Sequence, residues 1–178
     1  MKTMLLTLFT ITAFVITGCT SCKKSADNNG LPPATQTGAN TFGALVNGQV
    51  WTPNGYSGTA NLTISYDLGY AYGTLNVSAY RIIDSANLTG MGVSVDSLNN
   101  YVIPHTFILK PNSNTNMVYN NQCWYESSKP STYSNGFITI SKLDKQQGII
   151  SGTFAAQLYK PGCDTVNITE GRFDMKLH

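Results

Sequence analysis

The sequence predicts an all-β domain, an antiparallel β-sandwich of about 8–10 strands, with a closed β-barrel as the alternative. Three observations carry this prediction. Apolar and polar residues alternate at period two through most of residues 41–178. Turn-forming pairs punctuate that alternation. No stretch in the same span holds apolar residues at helical spacing for three turns.

Taken in order, "NTFGALVNGQVW" reads as a first hairpin that turns at Asn47-Gly48, the favoured two-residue connection. "LTISY" places Leu62, Ile64 and Tyr66 on one face, "TLNVSAY" does so with Leu75, Val77 and Ala79, and "TGMGVSV" with Met91, Val93 and Val95. "FITISKL" alternates Phe137, Thr139, Ser141 and Leu143 against Ile138, Ile140 and Lys142. "IISGTFAAQLY" sets Ile150, Phe154, Ala156 and Leu158 together. "DKQQG" (residues 144–148) carries a glycine where a left-handed residue is wanted, and "KPGCD" joins the next pair. "EGRFDMKL" closes the chain as a strand with Phe173, Met175 and Leu177 inward. Short turns force antiparallel neighbours.

The N-terminus gives an address. Lys2 precedes sixteen uncharged, mostly apolar residues, 3–18. A membrane-spanning helix needs about 20, so the run fits the apolar region of a signal peptide. Ile16-Thr17-Gly18-Cys19 resembles the lipobox of bacterial lipoproteins. That resemblance implies cleavage after Gly18, a thioether lipid on Cys19 and an acylated new N-terminus; an ordinary secretory signal with a coincidental cysteine is the alternative. Each buried methylene contributes about 0.8 kcal/mol, so two or three acyl chains on one cysteine anchor the chain durably without spanning the bilayer. Residues 19–40, with Lys23, Lys24, Asp27, Pro32, Pro33 and hardly an apolar side chain, read as a flexible tether. The expected division is therefore signal peptide 1–18, lipid-anchored tether 19–40 and β domain 41–178.

Within residues 41–178 eight basic residues balance eight acidic ones. No basic patch invites nucleic acid. Low charge with abundant Tyr, Thr, Ser, Asn and Gly is the composition of an extracytoplasmic β domain. Export meets an oxidising compartment, so cysteines are expected to pair. With Cys19 used for lipid, Cys123 and Cys163 are the expected disulfide, closing a loop worth about 4 kcal/mol in the chain-entropy estimate. Cys22 is left free in the tether. Metal binding is the rival reading, but no histidine-bearing partner set accompanies these cysteines.

The segments "LPPATQTGANTFGALVNGQVW", "IISGTF" and "ITEGRFDMKL" are similar to those of a family of Gram-negative lipoproteins known only as a domain of unknown function. The resemblance spans nearly the whole mature chain. It implies a lipid-anchored β domain at the outer membrane and brings no activity, cofactor or functional residue with it.

Catalytic constellations are not expected. His105 alternates with Ile103 and Phe107 as a structural strand residue would, "GYSGT" lacks the strand-turn-helix context of a serine elbow, and the acidic residues are few and turn-bound. There is no phosphate loop, HExxH or calcium loop. Aromatic clustering is the better lead. Tyr66, Tyr70, Tyr72 and Tyr80 fall in one region, and Tyr119, Trp124, Tyr125 and Tyr133 in another. Tyr66, Tyr70, Tyr72, Trp124 and Tyr125 are the candidate ligand-binding residues, because such rings give rigid, amphipathic contact area for sugars or partner surfaces. The plainer account is that Tyr suits strands. Finally, "DSA" (84–86), "DSL" (96–98) and "DTV" (164–166) resemble an O-glycosylation acceptor of some Gram-negative lineages, which makes Ser85 and Ser97 the candidates ahead of Thr165. Asp-Ser pairs also start turns with no glycan. The expected function is a lipid-anchored, non-catalytic envelope module that binds a glycan or protein; a structural accessory subunit is the second reading and a small hydrolase the third.

Overall fold

The computed structural model describes residues 30–84 and 87–177; the expected signal peptide (1–18), Cys19, Cys22 and Ser85 lie outside the described residues. Eleven strands occur among the described residues: β1 (Thr41–Val46), β2 (Gln49–Trp51), β3 (Leu62–Asp67), β4 (Thr74–Asp84), β5 (Asn87–Val95), β6 (His105–Ile108), β7 (Thr115–Asn120), β8 (Trp124–Glu126), β9 (Tyr133–Asp144), β10 (Ile149–Tyr159) and β11 (Val166–Lys176). They form a six-stranded sheet, β2-β1-β11-β10-β9-β6, and a five-stranded sheet, β3-β4-β5-β7-β8. The two antiparallel sheets pack as a sandwich, not a closed barrel. The count exceeds expectation by one, and β8 spans only three residues, too few for a period-two pattern to register.

Alternation decides what enters the core. Leu75, Val77 and Ala79 of β4 face Met91, Val93 and Val95 of β5 and are buried with them. Opposite lie Phe42, Ala44, Ile150, Phe154, Leu158, Phe173 and Met175 of the other sheet. Trp51, itself buried, stitches the layers: its indole N–H donates to the Thr89 hydroxyl of β5 at 2.9 Å, and its ring meets Phe42 edge-on. Asn47 and Gly48 both take positive φ, 50° and 80°, as the expected tight hairpin requires. In β9 one expectation needs correcting. Ser151 pairs with Lys142 and Gly152 with Ile140, so Ser141 is an extra residue in a bulge. The bulge reverses the phase, and Leu143 packs on the same core as Ile138 and Ile140 instead of joining Phe137.

The disulfide forms as expected between Cys123, in the β7–β8 turn, and Cys163, in the β10–β11 turn, 40 residues apart. It joins the two sheets at one end of the sandwich.

The tether boundary is the larger correction. Residues 30–40 are not free chain but a strap across the outer face of the six-stranded sheet. Asp174, on the face opposite Phe173 and Met175, is 1 % exposed. Its carboxylate accepts from the Thr35 hydroxyl (2.6 Å), the amides of Thr37 (2.9 Å), Gly38 (2.8 Å) and Ala39 (3.3 Å), and the Ser151 hydroxyl (2.8 Å). Leu31 is buried over β1. A Cβ on Gly43 would sit 2.9 Å from Pro32 Cδ, so the strap can lie this close only because that strand position is glycine. Composition misled here because polar bonds, led by those to one buried carboxylate, order the strap more than its small apolar area does.

Candidate functional site

The five-stranded sheet leaves its outer face open. The residues that alternate with its core-facing set form three rows across the strands: Asn76–Ser94–Asn116, Ser78–Gly92–Val118–Glu126, and Tyr80–Gly90–Asn120–Trp124. β5 is the central strand, and its outward positions include two glycines. Gly92 keeps the floor low between the side chains of β4 and β7, while the Asn120 side chain lies over Gly90 in the space a Cβ would take. The resulting groove has a volume of about 370 Å³, within the size range of small-ligand sites.

None of the groove's lining residues is charged. Its polar groups are neutral amides and hydroxyls with spare hydrogen-bonding capacity. The side chains of Asn76, Ser78, Ser94 and Asn120 make no hydrogen bond to other described residues. Asn116 Oδ1 is taken by the Ser127 hydroxyl and the Ser128 amide, both at 3.2 Å, which leaves its NH₂ group free. Two aromatic rings mark the wide end. Trp124, where β8 begins, is 56 % exposed. Tyr80 is held from the far side, with the Ser57 amide donating to its hydroxyl at 3.0 Å and that hydroxyl donating to the Thr59 carbonyl. These bonds, led by that from Ser57, draw the Tyr80 phenol below its ordinary pKa.

The five candidate binding residues do not form one site. Trp124 lies on the groove. Tyr125, its neighbour in β8, is 1 % exposed and donates its hydroxyl to the Asp164 carbonyl at 2.6 Å, so it is a core residue. Successive strand side chains point to opposite faces, and the two could never have shared a surface. Burial pushes the Tyr125 phenol pKa up, and that of Tyr119 beside it. Tyr66, Tyr70 and Tyr72 gather at the other end of the sheet. The Tyr66 hydroxyl donates to Asn99 Oδ1 at 2.6 Å. Tyr70 and Tyr72 stand exposed in the β3–β4 turn, where Ala71, Tyr72 and Gly73 all have positive φ. The amides of Asn99 and Leu98 hold that turn by donating to the carbonyls of Tyr72 and Gly73.

Of the remaining candidates, Ser97 occupies a left-handed turn, φ 60°, between Asp96, which accepts from Thr74, and the buried Leu98. Thr165 is exposed. His105 packs in a cluster with Tyr101 and Phe107, with centroids 4.4 and 4.7 Å away. Among the described residues, no group of three His, Cys, Asp or Glu could hold a metal ion. Sequence reasoning missed the groove's glycines and asparagines. Their signal was present in "TGMGVSV", where glycine recurs at the outward positions of a strand, a mark of close approach by a ligand or another backbone.

No curated protein and no solved structure matches this chain. A family model described as a domain of unknown function, DUF6252, matches residues 39–175, and the chain belongs to that family.

Proposed function

We propose that this protein is a lipid-anchored, non-catalytic binding module of the bacterial envelope whose ligand is a neutral glycan held on the outer face of the five-stranded sheet. The observation that carries the reading is the chemistry of the groove. It is free of charge, offers unpaired amides and hydroxyls, and ends at an exposed tryptophan. Polyols satisfy such amides without a counter-charge, and the apolar face of a sugar ring stacks on an indole. No lining residue offers a cation to an anionic ligand, and the Lys160 ammonium at the Trp124 end is held on the Trp124 carbonyl at 3.3 Å. The anchor part of the proposal is supported by Ile16-Thr17-Gly18-Cys19 alone, with lipid on Cys19 and the outer membrane as the site of attachment. Ser85 and Ser97 keep the status of modification candidates, Ser97 in a half-buried turn.

Two measurements test the two halves. Titration of the exported domain with neutral oligosaccharides, followed by calorimetry and tryptophan fluorescence, is expected to give saturable binding. Trp124→Ala should lower affinity about ten-fold, the scale of one aromatic contact, with the melting temperature unchanged. Labelled palmitate is expected in wild-type protein and absent from Cys19→Ala. Equal affinity of wild type and Trp124→Ala would remove the groove from the function; equal labelling would remove the anchor.

A further inference from the structure

The side of the sandwich between β1 and β3 is open. A cleft of about 800 Å³ lies there, with apolar walls from Leu31, Phe42, Leu62, Ile64 and Met175. β3 is the edge strand of its sheet and pairs only with β4. The Tyr80 amide donates to the Asn61 carbonyl, so Asn61 and Tyr80 are a hydrogen-bonded pair. Alternation then turns the main-chain groups of Thr63, Ser65 and Asp67 toward β4, and those of Leu62, Ile64 and Tyr66 outward. Those outward N–H and C=O groups have no partner among the described residues. The side chains of the same three residues are half-buried and packed on the core margin.

We propose that this open side accepts an extended segment of another polypeptide as an additional strand beside β3, with every second side chain of that segment entering the cleft. The free edge specifies a peptide main chain, and the cleft specifies apolar residues at alternate positions. β3 also lacks the usual guards of an edge. It is six residues long, pairs without a bulge, and carries no lysine or proline. The other three edges, β2, β6 and β8, are three, four and three residues long, too short to template a partner.

Two other occupants fit less well. A second copy offering its own β3 has already committed Leu62, Ile64 and Tyr66 to its own core, and would leave the cleft unfilled. The chain that leads into Gly30 at the rim, "TSCKKSADNN", has no apolar alternation to offer.

The test uses a capped synthetic peptide, TLNVSAY, copied from β4, because that sequence already pairs with β3 in the right alternation. The full domain should bind it saturably, with new hydrogen-exchange protection at Leu62, Ile64 and Tyr66. A scrambled peptide without alternation, and one N-methylated at the amides facing β3, should each bind at least about ten-fold more weakly, since two main-chain bonds are lost. Ile64→Pro removes one outward N–H without touching the ladder to β4, a position where an edge strand tolerates proline, and should abolish protection. If that variant does not fold, the methylated peptide carries the comparison. The proposal is overturned if TLNVSAY does not bind or the methylated peptide binds equally well. It is also overturned if the three amides are already protected in the free protein, including by a dimer.

Discussion

Replacing Asp174 by Asn should release the strap, and the size of the effect follows from the donors around the carboxylate. Oδ1 accepts from Gly38 N and the Ser151 hydroxyl, and Oδ2 from the Thr35 hydroxyl and the amides of Thr37 and Ala39. Hydroxyls can rotate to accept from an amide; main-chain N–H groups cannot. Whichever oxygen becomes NH₂, at least one buried main-chain donor is left facing another donor, and the remaining bonds lose their charge. At about 1.5–3 kcal/mol per bond to a charged group, losing two costs about 3–5 kcal/mol. A domain of this size melts roughly 2–4 °C lower for each kcal/mol lost, so the midpoint should fall by about 10 °C. Burial works against the ionised form of Asp174, but the bonds from Thr35, Thr37, Ser151 and Gly38 outweigh it and hold the carboxyl well below the usual carboxylate range. A depressed folded-state pKa gives stability that is fully present above the unfolded value of about 3.9 and drains away as pH falls below it. Wild type should therefore lose stability below about pH 4, and Asp174→Asn should lack that component of the acid slope. Denaturant titrations at pH 7 and pH 3, with hydrogen exchange read at residues 35–39, measure both effects. A cost under about 1 kcal/mol at pH 7 with exchange unchanged would refute the reasoning, because the strap would then be held by something else.

Removing the disulfide with Cys123→Ser and Cys163→Ser together should lower unfolding free energy by about 4 kcal/mol, with the fold retained at low temperature; a denaturation midpoint equal to wild type would show that the two turns are held together without it. Tyr125→Phe should cost about 1 kcal/mol through the lost bond to the Asp164 carbonyl and leave glycan binding untouched, the reverse of the pattern expected for Trp124→Ala.

Much of this fold was legible because a sheet with one buried face writes its alternation into the sequence. Leu75, Val77 and Ala79, or Met91, Val93 and Val95, could be assigned to the core without coordinates, and they are buried. Where legibility failed, the cause was local. A bulge at Ser141 changed the phase of β9, and nothing in "FITISKL" announces which residue will be extra. The strap looked like solvated linker because its order comes from a partner 135 to 139 positions away. The candidate site was half legible. Trp124 was identified by its chemistry, but grouping it with Tyr125 ignored the alternation used elsewhere, and the low floor of the groove comes from what Gly92 lacks.

The strap also bears on why the groove lies where it does. A sandwich has two outer faces, and in this protein they are unequal. Residues 32–39 occupy the face of the six-stranded sheet: Arg172 donates to the Pro32 carbonyl, Lys142 to the Gln36 carbonyl, and Asp174 takes the amides between and beyond. Three of the domain's charged residues are thus used to hold a polar strap down. The five-stranded sheet receives no such cover, and the residues lining its groove are uncharged and amide-rich, although Glu126 ends the middle row. A bare sheet face of this kind would normally carry alternating charges for solubility. Glycine in their place weakens the strand, and at Gly90 it makes room for the Asn120 side chain. Packing accounts for Gly90 beneath Asn120, and the remaining uncharged amides and hydroxyls suit the neutral ligand proposed above.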